Sequence, residues 1–368
     1  MLGRKTLIAA LLLYAVVVGC ALWPAKTDSQ TTATPAAPAL ASLNGLPYCG
    51  CSMQLQDVNL LAGYEKSCDE IAAIGGDSVM FVPSSSMEDM SSTRIYIDAR
   101  HNLSEADLKA LIHHAKEDGL RVILMPIVLV DIAPGVHDWR GTIHPEDTQH
   151  NDDWDDWFAS YTDMILYYAR IAQETGVNVF SVGSELVSSE SFADNWHDII
   201  QKVRGVYHGQ LTYSSNWDNY MMIPFWDDLD IVGMNSYWKL GPDNDPTVSV
   251  AEIDRRWAKI QEDLFGWQGK VKKPILLMEA GWCSLANASY EPWDYTQTQL
   301  PLDLDLQKRL YEGFFQSWWG KPQCAGFMLW EWTPQSPGGP KDKGYTPRGK
   351  PAAEVMREWF AKPRWKVE

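Results

Sequence analysis

The stretch VNVFSVGSELV, residues 177–187, is an apolar run that ends in a carboxylate. Phe180 and Val182 read as buried strand, and Gly183 and Ser184 bring Glu185 to the point where a strand should stop. A second run, PILLMEAGWCS (274–284), repeats the pattern and delivers Glu279. Charged side chains are rarely sunk in apolar elements without a partner or a task. The repeated pattern therefore sets how the rest of the chain is counted.

Working outward, strand-like apolar runs recur at 46–52, 77–83, 120–130, 210–217, 230–238 and 324–332, which with 177–187 and 274–282 makes eight. Helical periodicity occupies the intervals at 57–75, 104–118, 153–175, 191–207, 247–268 and 302–320, and a last helix is expected at 350–361. The connection at 219–229 has room for about one helical turn. Ser104 caps EADLKALIHHAKEDG and Gly119 closes it. Eight apolar strands, each followed by a crossover, predict a parallel sheet covered on both faces. Eight such units over roughly 315 residues predict an α/β fold, a (β/α)8 TIM barrel with a single catalytic domain. An open doubly wound sheet is the alternative, but no GxGxxG or GxxxxGK[ST] follows any strand.

The chain has 368 residues, enough for a large core, with ordinary hydrophobic (45%) and charged (21%) fractions. Its net charge of −17 argues against nucleic acid or an anionic membrane as partner, since both demand basic patches. The unusual count is 18 Trp with 15 Tyr. Aromatic faces suit the flat apolar faces of sugars as well as protein cores.

The first twenty residues, MLGRKTLIAALLLYAVVVGC, carry a basic start (Arg4, Lys5), an apolar stretch and small residues before a cysteine, the form of an export signal. The ending Val17-Val18-Gly19-Cys20 resembles a bacterial lipobox, so residues 1–20 are expected to be a lipoprotein signal peptide with Cys20 lipidated. An uncleaved anchor and ordinary secretion are the alternatives. Residues 21–44, rich in Ala, Thr, Pro and Ser, read as a flexible tether. The catalytic domain is then expected over 45–362, with a short tail at 363–368. This places the protein at the bacterial cell envelope, touching membrane only through its lipid and acting as a monomer. Five further cysteines (49, 51, 68, 283, 324) have no redox or zinc spacing, and their odd number leaves at least one unpaired.

In a barrel of this kind the chemistry sits at the C-terminal ends of the strands. Those ends carry Glu185 (fourth strand), Asn216 and Trp217 (fifth), and Asn235, Tyr237 and Trp238 (sixth). Glu279 and Trp282 follow on the seventh, and Trp330, Glu331 and Trp332 on the eighth. Two carboxylates, several aromatics and amides converging on one mouth have the composition of a sugar site. Of two glutamates flanking a glycosidic bond, one can protonate the leaving oxygen while the other attacks the anomeric carbon. The fourth and seventh strands lie on opposing sides of a barrel, so their side chains can face one another. Glu185 is expected to be the desolvated acid that keeps its proton. Glu331 reads as structural or as part of the rim. HExxH and GxSxG are absent. His101, His137, His144 and His150 fall in loops where substrate contact is open, with no metal-ligand spacing. Asp152, Asp153, Asp155 and Asp156 have the look of calcium ligands, but at the start of a helix they read first as acids complementing its dipole. No metal or organic cofactor is expected.

These residues and their surroundings resemble glycoside hydrolase family 113, a family of β-mannanases in the clan whose acid/base and nucleophile occupy strands four and seven. The stretches that carry the resemblance are DWRGTIHPED (138–147), WFASYTDMILYYARIAQETGVNVFSVGSELV (157–187), YSSNWDNY (213–220), IVGMNSYW (231–238) and PILLMEAGWCSLANASYEPWDY (274–295). The resemblance implies Glu185 as general acid/base, Glu279 as nucleophile and Tyr237 as the hydrogen-bond donor that keeps Glu279 ionised. Trp330 or Trp332 would floor the central sugar. Asn216, Trp217, Trp139 and Arg140 would line subsites. Much of the clan has Asn before the acid/base. Ser184 stands there in this chain, which suits the narrower family and leaves the sugar 2-hydroxyl contact unassigned. The implied activity is retaining endo-β-1,4-mannan or glucomannan cleavage. The same mechanism on a β-glucan or xylan, or a non-catalytic glycan-binding lipoprotein, are the alternatives.

Overall fold

Along the second barrel strand, Met80 and Val82 join one apolar cluster while Val79 and Phe81 join another. The alternation follows from the period of two in extended chain, which sends successive side chains to opposite faces. It builds two cores, one filling the inside of a closed sheet and one between the sheet and its helices. The computed structural model describes residues 45 and 47–368, except 134, 136–137, 147–152 and 244. The expected leader, Cys20 and the tether lie outside the described residues.

The strands are β1 (Tyr48–Leu55), β2 (Ser78–Asp89), β3 (Arg121–Leu124), β4 (Ile127–Ile132), β5 (Val179–Ser184), β6 (Gln210–Ser215), β7 (Val232–Asn235), β8 (Ile275–Ala280) and β9 (Cys324–Leu329). All ladders are parallel, in the order β1-β9-β8-β7-β6-β5-β3-β2, and β1 pairs with β2 to close the ring. The third position, expected as one strand over 120–130, is split. β3 pairs with β2 and β5, whereas β4 pairs with β2 alone. Pro126 lies at the break, where its missing N–H cannot serve a ladder.

The helices are α1 (Leu61–Ala73), α2 (Glu105–Glu117), α3 (Asp153–Thr175), α4 (Ala193–Arg204), α5 (Val250–Val271), α6 (Leu304–Trp318) and α7 (Pro351–Phe360). Ser104 caps α2 by accepting from the Asp107 amide at 3.1 Å, and Asp153, Asp155 and Asp156 occupy the first turn of α3. The connection at 219–229 holds two short 3-10 turns, Tyr220–Met222 and Trp226–Asp228. The fold is a (β/α)8 barrel.

Residues 363–368, set apart from the barrel on sequence, are bound to its underside. Arg364 Nε meets Asp77 Oδ2 at 2.6 Å, and Trp365 Nε1 donates to the Cys324 carbonyl at 2.9 Å. The Glu368 amide donates to the Pro322 carbonyl at 2.7 Å. These partners mark the N-terminal strand ends, opposite the mouth. The five described cysteines are all free and buried. Among the described residues no helix is long and apolar enough to cross a membrane.

Candidate active site

Both glutamates sit at irregularities of register. The β5–β6 ladder slips between Ser181 and Ser184, and Glu185 adopts a left-handed backbone with φ of 56°. The β8–β9 ladder slips between Leu277 and Ala280, and the β7–β8 ladder between Met234 and Asn235. A bulge re-aims a side chain that strict alternation would send elsewhere. Met278 belongs to the inner core and Ala280 to the outer one, yet Glu279 also faces inward, onto Tyr237. Gly183 makes the first slip possible. A Cβ there would lie 2.8 Å from the Tyr213 ring, 2.9 Å from Tyr161 Oη and 3.0 Å from the Trp196 ring.

Glu185 is 9% exposed and Glu279 is 5% exposed. Arg140, from the loop before α3, donates to Glu185 Oε2, and Asn235 Nδ2 donates to Glu185 Oε1. Asn235 also donates to Asn216 Oδ1 at 2.9 Å and accepts from the Trp217 amide at 2.8 Å. One side chain thus links the ends of β5, β6 and β7. Tyr237 Oη donates to Glu279 Oε2 at 2.9 Å, and Ser236 Oγ donates to the Glu279 carbonyl at 2.8 Å. Burial and then the Glu185 charge push the Glu279 carboxyl up to about 8, against the pull of Arg140 and the Tyr237 hydrogen bond. The more strongly desolvated carboxyl is therefore Glu279, where the sequence pointed to Glu185. Glu185 faces the Arg140 guanidinium.

The other expected residues divide into two groups. Trp330 packs against the inner core and against a mouth cluster with Tyr237, Cys283, Leu285, Tyr345 and Trp217. Trp217 stacks on Trp293 at 5.9 Å and meets Trp238 edge-on at 6.0 Å. Trp139 stands beside Arg140, its ring 6.0 Å from the guanidinium carbon. Trp282 and Trp332 are not in the mouth. Trp282 is fully buried against Tyr311 and Phe314 of α6. It lies two residues beyond Ala280, which already faces outward, so the same parity carries it outward. Trp332 lies in the outer core and donates to Glu70 of α1 at 2.9 Å, with Arg348 over its ring. β9 ends at Leu329, and past the strand end the alternation from Trp330 no longer holds. Ser184 is buried, its Oγ without a partner among the described residues. The amide beside the acid comes from Asn235 on β7, not from the preceding residue.

Sequence reasoning missed three features. Trp293, 38% exposed, extends the aromatic mouth from a long loop, and Lys239 lies 3.8 Å over the Tyr290 ring in the same loop. Their signal was present in SYEPWDY (289–295) but has no period to mark it. Glu190, 3% exposed, accepts from Tyr213 Oη at 2.6 Å and from Asn219 Nδ2. Glu331 accepts from Gln54 Nε2 and Ser336 Oγ, each at 3.2 Å, which fits a structural part. His101 stands 3.8 Å from Asp98 and His144 Nδ1 lies 3.2 Å from the Thr142 carbonyl. His137, His150 and Asp152 lie outside the described residues. Among the described residues, one group of side chains could close on a metal ion: Asp69, His114 and Asp118, on the helical ring. They already make ion pairs of 2.8 and 3.4 Å.

The sequence model of glycoside hydrolase family 113 matches residues 62–350, which covers the barrel from α1 to the start of α7. The chain belongs to glycoside hydrolase family 113. It is an O-glycosyl hydrolase on that ground. Among solved structures it is similar to the family 113 β-mannanase AaManA from Alicyclobacillus acidocaldarius, described in complex with ManMIm. That likeness has 28% identity over 87% of this chain and 99% of that one, with a TM-score of 0.76. A second family 113 β-1,4-mannanase shares 24% identity over 86% of this chain and 100% of that one, at a TM-score of 0.75. A family 5 protein from Streptomyces cattleya, in complex with Manb1-4GlcNAc, shares the fold at 14% identity, covering 87% of this chain and 83% of that one, with a TM-score of 0.57. No curated protein matches the chain.

Proposed function

We propose that this family 113 hydrolase is a retaining endo-β-1,4-mannanase acting on mannan or glucomannan through Glu185 and Glu279. The observation that carries the reading is the pairing of two buried carboxylates, from the fourth and seventh barrel positions, in one mouth where Glu279 feels the charge of Glu185. The mannan specificity is supported by the likeness to AaManA.

In the mechanism, Glu185 gives a proton to the leaving oxygen as Glu279 attacks the anomeric carbon. A covalent glycosyl-enzyme forms, and Glu185 then takes a proton from the water that releases it. The pair must hold one proton for the first step, and that proton has to be on Glu185. With the proton there, Glu279 is the carboxylate to which Tyr237 donates. Loss of the last proton near pH 8 sets an alkaline limb for the free enzyme. Asn235 holds Glu185 in place, and Trp330 and Trp217 offer faces for sugar rings.

The N-terminal lipobox-like sequence supports an exported protein, tethered at the bacterial cell envelope through lipid on Cys20 and acting on glycan as a monomer. Residues 21–44 would be its tether and 45–368 its catalytic body.

The test is incubation of the purified protein with mannan, glucomannan, xylan and β-glucan, with the anomer of the first product read by NMR. Cleavage of the mannans with retained configuration supports the proposal. Failure to cleave either mannan, or an inverted product, overturns it. Glu279→Ala should abolish turnover while leaving binding largely intact.

A further inference from the structure

The ring of helices has an empty place. Each of the other seven barrel positions is followed by a helix, but β6 is followed only by the two 3-10 turns. The flank of α5 that a neighbouring helix would cover instead borders a groove of about 1030 Å³. The groove is lined along α5 from Glu252 to Lys270, so it runs about 27 Å at the helical rise. Its wall has three aromatic rings, Trp267, Tyr220 and Trp238, with Tyr220 and Trp267 4.8 Å apart. Charged side chains of both signs, more basic than acidic, make up most of the remaining lining and supply donors and acceptors along it.

Ring contacts link one end of the groove to the mouth. Trp238 lines the groove and also meets Trp217, which stacks on Trp293 over the mouth. A single loop carries Asn216, tied to the Asn235 amide beside Glu185, then Trp217, then Tyr220 and Met221 of the groove. Aromatic faces for sugar rings, with charged side chains of both signs to hydrogen-bond hydroxyls, fit a neutral, hydroxyl-rich chain. We propose that this groove binds a distal stretch of the same β-linked polysaccharide that occupies the mouth. The proposal rests on the glycosidase reading above. It gives the enzyme a preference for long chains that the mouth alone does not supply.

The experiment compares kcat/KM on a soluble polysaccharide with kcat/KM on a trisaccharide of the same sugar. The variants are Trp267→Ala, which removes a ring, and Gly266→Leu, which fills the groove. A Cβ at Gly266 meets nothing within 4 Å, and leucine favours helix over glycine, so folding is spared. Both variants should lower the polysaccharide value about tenfold, the worth of one good aromatic contact, and leave the trisaccharide value unchanged. Retardation of Glu279→Gln in gels containing each soluble polysaccharide reads binding without turnover, and Gly266→Leu in that background should reduce it. Unchanged polysaccharide kinetics and retardation, or an equal loss on both substrates, overturns the proposal. Self-association that Gly266→Leu abolishes also overturns it, in favour of a second copy in the groove. If mannans are not cleaved but another β-glycan is, the mannan reading fails and the same comparison is made with that glycan. If no polysaccharide retards the Glu279→Gln protein, the groove proposal fails outright.

Discussion

Tyr237 donates its hydroxyl to Glu279 Oε2 at 2.9 Å, from just past the end of β7, which pairs with the strand that bears the glutamate. Burial and the Glu279 charge hold the phenol well above its ordinary value, so it remains a donor at any working pH. The bond favours the ionised carboxyl, and Glu279 still lies at about 8. Tyr237→Phe removes the donor and keeps the ring. The Glu279 carboxyl then rises further, and the alkaline limb of kcat/KM moves to higher pH. We expect kcat to fall about 100-fold, comparable to the loss of one preorganised donor. A pH profile of kcat/KM reads both effects, and an unmoved limb would count against this role for Tyr237.

Glu279 also makes stability depend on pH in an uncommon direction. Its folded value of about 8 lies above the ordinary 4.5. Between these values the folded chain holds a proton that the unfolded chain has lost. The stabilisation is full below the unfolded value and is lost as pH rises through the folded one. Glu279→Gln removes this dependence. The variant should melt about 2 °C or more above the native chain at pH 8.5, and close to it at pH 4.5. Thermal melts at the two pH values decide it, and an equal difference at both contradicts the assignment.

Gly183 is required by the packing behind Glu185. Gly183→Ala would push a methyl group into Tyr213, Tyr161 and Trp196, all within about 3.0 Å. These rings belong to the outer core and cannot all yield. Unfolding in urea should show a loss of roughly 1–3 kcal/mol, the usual cost of overpacking. Activity should fall as well, because the displaced backbone is the one that aims Glu185. A variant as stable and active as the native chain contradicts this account.

Glu190 supports the same turn from behind. Tyr213 Oη donates to Glu190 at 2.6 Å and accepts from the Leu186 amide, next to Glu185, at 2.9 Å. Asn219, on the loop after β6, donates to the other carboxylate oxygen. Glu190→Ala strands both donors and should destabilise by about 1–3 kcal/mol. Its kcat should fall more than its KM rises, since the change reaches the acid and not the sugar contacts. Glu190→Gln, which keeps one acceptor, should recover part of both. Equal effects on kcat from alanine and glutamine would oppose this reading.

How far each feature was legible follows from the range of the interaction that makes it. The eight barrel positions and seven helices were readable because burial on both faces imposes continuous apolar strands and helical periods, which are local in sequence. Glu185 and Glu279 were readable for the same reason, as charges that end apolar runs. Trp282 and Trp332 were misassigned because the side on which a residue emerges past a strand end depends on register, and Trp282 follows the outward parity of Ala280. The partners of the two carboxyls were likewise out of reach. Arg140 is 45 residues from Glu185 and Asn235 is 50. No local pattern says which carboxyl they meet or which is buried more deeply.

The sequence by itself determined the barrel, the family resemblance and the pair of strand-end glutamates, since hydrophobic periodicity and short motifs are written along the chain. The tertiary structure alone decided that Asn235 ties three strand ends together, that Glu279 is the more desolvated acid, and that one place in the helical ring is open. Each of these arises where residues distant in the chain meet. Desolvation and charge act across space, and the closed sheet sets which distances become short.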